Sequence, residues 1–86
     1  MADTFSVLLV DSSRSTRNAL RKHLEAAGHT VNEADNGPKG LDAFEQWKTD
    51  IVMTGLDMPG MDGYDLIAAI RERDVHVPVI VLSRSV

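Results

Sequence analysis

The stretch TGLDMPGMDG, residues 54–63, decides the fold. It follows DIVMT, an apolar and β-branched run that is typical of a strand buried on both faces of a sheet. The Met-Pro-Gly in its middle interrupts regular structure, and Asp62 precedes Asp65 by three residues, the spacing of a helix capping box. The pattern therefore predicts a loop between a buried strand and a helix over about residues 64–73.

The rest of the chain repeats this alternation of strand and helix. Three further runs predict strands: SVLLV at 6–10, HTVNEA at 29–34 and HVPVIVLS at 76–83. Ser12 and Ser13 are good N-caps for a helix that stops at Gly28, and Pro38 is predicted to open a short second helix. Strands that alternate with helices of this size predict a parallel α/β sheet with right-handed crossovers and helices on both faces.

Two faces are predicted for the first helix. Leu20, His23, Leu24 and Ala27 recur at helical spacing and are predicted to form its apolar face. A basic stripe lies on another face and consists of Arg14, Arg17, Arg21 and Lys22. This stripe is interpreted either as a docking face for an acidic partner or as an ordinary solvated helix face.

Polar residues stand where the predicted strands end. Asp11 and Ser12 follow the first strand, residues 55–57 follow the third, and Ser83 follows the fourth. In open α/β sheets, functional groups collect beyond the carboxyl ends of the strands. These residues are therefore expected to meet in one pocket.

Four segments together resemble the receiver domain of bacterial two-component response regulators: VLLVDSSRSTR, GHTVNEADNG, DIVMTGLDMPGMDG and VPVIVLS. The resemblance covers nearly the whole chain, and MPGMDG after its strand is the most specific part. It implies a flavodoxin-like doubly wound sheet with the strand order 2-1-3-4-5. Residues 1–86 would form a single receiver-like domain of order β-α-β-α-β-α-β that lacks the last strand and its flanking helices.

Receivers of this family accept a phosphoryl group from a phosphohistidine onto an aspartate, using Mg²⁺ held near acids at the end of the first strand. The resemblance places Gly55 at the acceptor position, and glycine has no nucleophile. Asp11 matches the first of two acids, whereas Ser12 replaces the second. Ser83 matches a hydroxyl residue that contacts the phosphoryl group, but Arg84 follows it where the family usually has a small residue.

These departures predict a pseudo-receiver that is not an enzyme and has no catalytic residue, metal or cofactor. Its partner would be a protein of a bacterial signalling pathway. The remaining acidic pocket would consist of Asp11, Ser12, Asp57, Ser83 and Arg84.

Two alternatives stay open. The chain could be an active receiver that accepts a phosphoryl group on Asp57 or Asp11 with Mg²⁺. Asp57 lies two residues beyond Gly55, about 6.6 Å along an extended chain, so it is predicted to lie out in the loop. The chain could also be a folding fragment of a longer regulator with no function of its own.

Composition excludes several classes of protein. A net charge of -4 argues against general nucleic-acid binding, and the absence of cysteine excludes thiolate chemistry. No apolar run is long enough for a membrane span or a signal peptide, which predicts a cytoplasmic protein. Because nothing follows the fourth strand, residues 77–82 are expected to form an apolar sheet edge through which two copies associate.

Overall fold

The computed structural model describes residues 3–82. Strands and helices alternate along this part of the chain: β1 Ser6–Val10, α1 Arg14–Ala26, β2 Thr30–Ala34, α2 Gly37–Gln46, β3 Ile51–Gly55, α3 Gly63–Arg73 and β4 Val79–Leu82. The four strands form one parallel sheet in the order β2-β1-β3-β4. This confirms the predicted flavodoxin-like α/β fold, whose strand order reverses between β1 and β3.

The main apolar core lies between the sheet and helices α2 and α3. Residues on one face of β1 and β3, among them Leu8, Val10 and Val52, pack with Leu66 and Ile70 of α3. All five side chains are almost completely removed from water, which at about 25 cal/mol per Å² of apolar surface makes this the main source of stability. The DIVMT and SVLLV runs thus form buried strands, as predicted.

The opposite face of the sheet carries α1, where ion pairs lie beside the buried apolar side chains of Val7 and Leu9. Glu33 of β2 lies beside Leu9 in the register, so both side chains point to this face. Its carboxylate accepts hydrogen bonds from Arg17 Nε at 3.1 Å and from Arg21 Nη1. Helix α1 is therefore held to β2 by two arginines that share one glutamate.

The predicted apolar side of α1 is wrong in part. No residue of α1 is buried, and His23 and Ala27 are exposed while Leu20 and Leu24 are only half-buried. The two leucines share the covered side of the helix with Arg17 and Arg21, because these arginines reach Glu33 on the sheet. Of the basic stripe, Arg17 and Arg21 therefore hold the helix to the sheet, whereas Arg14 and Lys22 are exposed to solvent.

The fourth strand is shorter than predicted. It comprises Val79–Leu82, and Val77, which was assigned to the exposed edge, precedes it and is 5% exposed in the core. The backbone of Val77 is engaged on both sides, since its N–H donates to Asp74 Oδ1 at 3.1 Å and its carbonyl accepts from Arg71 Nη1 at 2.7 Å. The exposed apolar edge is therefore limited to β4 itself.

Gly63 allows α3 to begin directly against the end of β3. A Cβ atom at this position would overlap the carbonyl oxygen of Gly55 and approach Leu56 Cα to 2.8 Å. Asp62 and Asp65 form the predicted capping box, which satisfies the first backbone donors of the helix. No helix in the described residues is long and apolar enough to cross a membrane.

The carboxylate of Glu33 is the shared partner of two α1 arginines, so its charge should contribute to stability. Glu33→Gln keeps the size of the side chain but removes the charge opposite Arg17 and Arg21, so we expect the free energy of unfolding to fall by about 1 kcal/mol. Urea unfolding followed by circular dichroism measures this change. The matched control is Glu25→Gln, because Glu25 lies 3.9 Å from Arg21 Nε with half of its side chain exposed and should change stability by less than about 0.5 kcal/mol. Equal effects of the two substitutions would contradict the structural role of Glu33.

Candidate functional site

Asp11 lies at the carboxyl end of β1 and joins three elements. Its N–H donates to the carbonyl of Ala34 in β2 at 3.1 Å, and its own carbonyl accepts from Arg17 Nη1 of α1 at 2.6 Å. Its Oδ1 accepts from the N–H of Ser13, the N-cap residue of α1, at 2.8 Å. Because Asp11 is only 3% exposed, these contacts hold its carboxylate in one orientation.

The carboxylate of Asp11 lies directly over Gly55, the last residue of β3. A Cβ atom built on Gly55 would lie 2.5 Å from Asp11 Oδ2 and 3.2 Å from Asp11 Cγ. The backbone of Gly55 is not in the left-handed region, which within the described residues contains Gly28 and Gly60 alone. A side chain at this position would therefore require the Asp11 carboxylate to shift, whereas the backbone conformation would accept one.

Ser12 and Asp57 connect the two loops above the sheet. Ser12 Oγ donates to the carbonyl oxygen of Asp57 at 3.3 Å. The Asp57 side chain is exposed in the loop after β3, and it makes no hydrogen bond or ion pair within residues 3–82. Of the predicted pocket, Asp11, Ser12, Gly55 and Asp57 thus come together, with Asp57 at the outer edge.

Ser83 and Arg84 were also predicted to belong to this pocket. Both lie outside the described residues. The part of the pocket that the structure describes is therefore the meeting point of the β1–α1 and β3–α3 loops.

The donor set of this pocket does not fit Mg²⁺. A magnesium ion is held by several oxygen ligands that usually include one or two carboxylates. No group of three or more His, Cys, Asp or Glu side chains in the described part of the chain is placed to hold a metal. Asp11 Oδ1 already accepts the Ser13 N–H, and the Ser12 hydroxyl is a weaker ligand than a carboxylate.

The basic stripe of α1 is separated into two pairs. Arg17 and Arg21 are half-buried and bound to Glu33, as described above. Arg14 and Lys22 are exposed, and neither forms an ion pair within residues 3–82. Only this second pair is available to a partner without breaking a contact that holds α1.

Sequence reasoning missed Glu33 and Lys39. Lys39, in the first turn of α2, lies with the α1 arginines around one depression next to the end of β2. Nothing in the pattern HTVNEADNGPK marks these two residues as neighbours of α1. The parallel register between β1 and β2, which carries Glu33 under the helix, is the information that was needed.

Comparison with known proteins identifies the family. Residues 7–86 match the response regulator receiver domain family. The chain is 36% identical over 74 residues to the chemotaxis protein CheY of Halobacterium salinarum, covering 86% of this chain and 62% of that protein. It is 35% identical over 77 residues to the response regulator protein FleR of Pseudomonas aeruginosa, covering 90% of this chain and 16% of FleR.

Solved structures agree with this assignment. The chemotaxis protein CheY4 of Vibrio cholerae superposes with a TM-score of 0.92 at 27% identity, covering 98% of this chain and 72% of CheY4. The complex of histidine kinase ThkA with response regulator protein TrrA contains a chain that matches with a TM-score of 0.86 at 28% identity, covering 93% of this chain and 69% of the other. The fold, the sequence match and the loop after β3 agree, and the chain belongs to the response regulator receiver domain family of two-component signalling systems.

Proposed function

We propose that this receiver domain, residues 1–86 acting as one unit, signals through protein–protein contacts and does not itself accept a phosphoryl group. The observation that carries the proposal is the Asp11 carboxylate over Gly55. The position from which an acceptor side chain would extend is filled from β1, and the residue at that position has no nucleophile. The site keeps the shape of a receiver pocket while lacking its reactive group.

Neither remaining acid is well placed to replace the acceptor. Phosphoryl transfer requires a carboxylate oxygen aligned with the donor and positive charge around the transferred group. Asp11 is buried, and its Oδ1 is occupied by the Ser13 N–H. Asp57 is exposed but has no cationic side chain paired with it within residues 3–82. We therefore favour an interaction module over an active receiver.

The partner that we propose is a protein of a bacterial signalling pathway. Receiver domains interact with histidine kinases, and the ThkA–TrrA complex contains such a pair. In this chain, Arg14 and Lys22 on α1 are exposed and unpaired within the described residues, which supports contact with an acidic surface. Arg17 and Arg21 would support that surface by fixing α1 on the sheet.

Self-association along β4 is a second proposed interaction. Ile80 is 48% exposed and Val81 is 42% exposed, on opposite faces of a strand at the edge of the sheet. An apolar edge strand offers unpaired backbone groups to a second strand. Two copies would extend the sheet by pairing their β4 strands.

Incubation with acetyl phosphate and Mg²⁺ tests the absence of phosphorylation. Intact-mass measurement should find no added phosphoryl group on this chain, while a receiver that has an acceptor aspartate gains one in the same buffer. Asp57→Asn and Asp11→Asn identify the acceptor if a mass gain appears. A stoichiometric, base-labile gain that either substitution removes would establish an active receiver instead.

A double-mutant cycle tests whether Asp11 fills the space over Gly55. Gly55→Ala should lower the free energy of unfolding by about 1–3 kcal/mol because the new methyl group overlaps Asp11 Oδ2. In the Asp11→Ala background the same change should cost less than about 1 kcal/mol, since the obstructing atoms are gone. Asp11→Asn, which keeps the size of the side chain, should leave the cost of Gly55→Ala high. If Asp11→Asn lowered the cost of Gly55→Ala as much as Asp11→Ala does, the charge of Asp11 and not its size would be responsible for that cost.

Sedimentation analysis tests association through β4. The chain should form dimers at high concentration, and Ile80→Lys or Val81→Lys should shift it to monomer without loss of secondary structure by circular dichroism. Val75→Lys is the matched control because Val75 is 67% exposed but lies outside β4. A wild-type chain that stays folded and monomeric, or a Val75 variant that dissociates as readily as the β4 variants, would refute this interface.

A further inference from the structure

Two surface depressions meet at the loop between β2 and α2. One lies between α1 and the end of β2, with a volume of about 630 Å³. The other crosses the loops above the sheet, with a volume of about 640 Å³. Both are lined by Asp35 and Lys39, so they adjoin. We call the combined feature the β2 groove.

The charge of the β2 groove is opposite to that of the protein. Its lining contains four basic and two acidic side chains, a surplus of two positive charges, whereas the whole chain has a net charge of -4. The basic residues are Arg14, Arg17, Arg21 and Lys39, and the acidic ones are Glu33 and Asp35. Such a local reversal favours a negatively charged ligand and steers it towards this side of the domain.

The basic end of the groove is partly preorganised. Arg17 and Arg21 are fixed by Glu33, and Arg21 Nη2 also donates to Asn18 Oδ1 at 3.3 Å. Arg14 is exposed and makes no ion pair within the described residues. Arg17 and Arg21 therefore form a fixed wall of the groove, and Arg14 is the arginine that a ligand carboxylate can reach without displacing Glu33.

Lys39 lies at the centre of the groove. Its Nζ is 3.6 Å from Asp35 Oδ1, and at least half of each side chain is exposed. Ion pairs of this kind contribute at most about 1 kcal/mol, so a ligand carboxylate could replace Asp35 at little cost. Arg14 and Lys39 are thus the two cations available to a ligand.

The other end of the groove is apolar. Pro38, Pro59 and Met61 line it, with Gly60 between the last two in the chain. Met61 is half-buried and packs so closely on Gly37 that a Cβ there would lie 2.7 Å from the Met61 side chain. Two prolines and a half-buried methionine offer an apolar surface to an incoming side chain, and they add no charge.

We propose that the β2 groove binds an acidic segment of a partner protein in which carboxylates are followed by apolar side chains. The carboxylates would contact Arg14 and Lys39, and the apolar side chains would pack against Pro38, Pro59 and Met61. The inference rests on the proposed function, because it specifies the chemistry of one protein contact. A nucleic acid is disfavoured since half of the groove is apolar and only two of its cations, Arg14 and Lys39, are available to a ligand.

Peptide binding tests the proposal on the whole chain. The probe is a dye-labelled peptide of four glutamates followed by three leucines, and fluorescence anisotropy measures its dissociation constant. Arg14→Glu and Lys39→Glu should each weaken binding by about tenfold, because each replaces an attraction with a repulsion. Lys48→Glu is the matched control, since its side chain is exposed and lies outside the groove, and should change binding by less than about twofold.

Three further probes separate the possible results. A peptide with alanines in place of the leucines should bind more weakly, and one with lysines in place of the glutamates should not bind. No detectable binding of the original peptide at low salt would overturn the proposal, as would equal losses in the groove and control variants. Tighter binding of a single-stranded oligonucleotide with the same dependence on Arg14 and Lys39 would assign the groove to nucleic acid instead.

Peptide binding and phosphorylation are measured separately, so either the groove or the proposed function can fail alone. If acetyl phosphate modifies the chain while the peptide still binds through Arg14 and Lys39, the non-phosphorylated mode of signalling is wrong and the groove stands. If the chain stays unmodified but the peptide does not bind, the groove alone is wrong.

Discussion

The hydrogen-bonded position of Asp11 determines the geometry of the loops above the sheet. Its backbone joins β1 to β2 and to Arg17 of α1, and its carboxylate accepts the N–H of Ser13, the N-cap of α1, while covering Gly55 at the end of β3. A single residue therefore connects three strands and one helix at the edge where receiver domains place their functional groups. The same contacts that order this edge also fill the position from which an acceptor side chain would project.

The two faces of the sheet are stabilised by different forces. Apolar burial under α2 and α3 is not weakened by ionic screening, whereas salt weakens the ion pairs that the α1 arginines form with Glu33. No residue of α1 is buried, whereas α3 buries Leu66 and Ile70, so α1 loses less apolar contact than α3 when it separates from the sheet. Local opening should begin there, on the side that also carries the exposed basic residues.

The fold was predictable because each strand and helix is marked by residues within its own segment of the sequence. Buried strands appear as continuous apolar runs, and the Asp62–Asp65 capping box marks the start of α3 within one turn. The position of Val77 was not predictable in this way, since VPVIV has one strand-like pattern throughout. Contacts from Asp74 and Arg71, which lie three and six residues earlier, remove Val77 from the edge.

The sequence predicted which residues form the candidate site but not how their side chains are oriented. The strand ends placed Asp11, Ser12, Gly55 and Asp57 at one edge, because parallel strands end together. That Asp11 points over Gly55 depends on which N–H its carboxylate accepts, and that choice is made by the folded turn before α1. Glu33 was missed for a related reason, since its role depends on strand register and not on any neighbour in sequence.

Gly55 also has an evolutionary consequence. Its backbone lies in a region open to every residue type, and the genetic code separates glycine from aspartate by a single base. The barrier to an acceptor side chain is therefore the rotamer of Asp11 and not the path of the main chain. A side chain at Gly55 would require repacking of that one neighbour and no rebuilding of the strand.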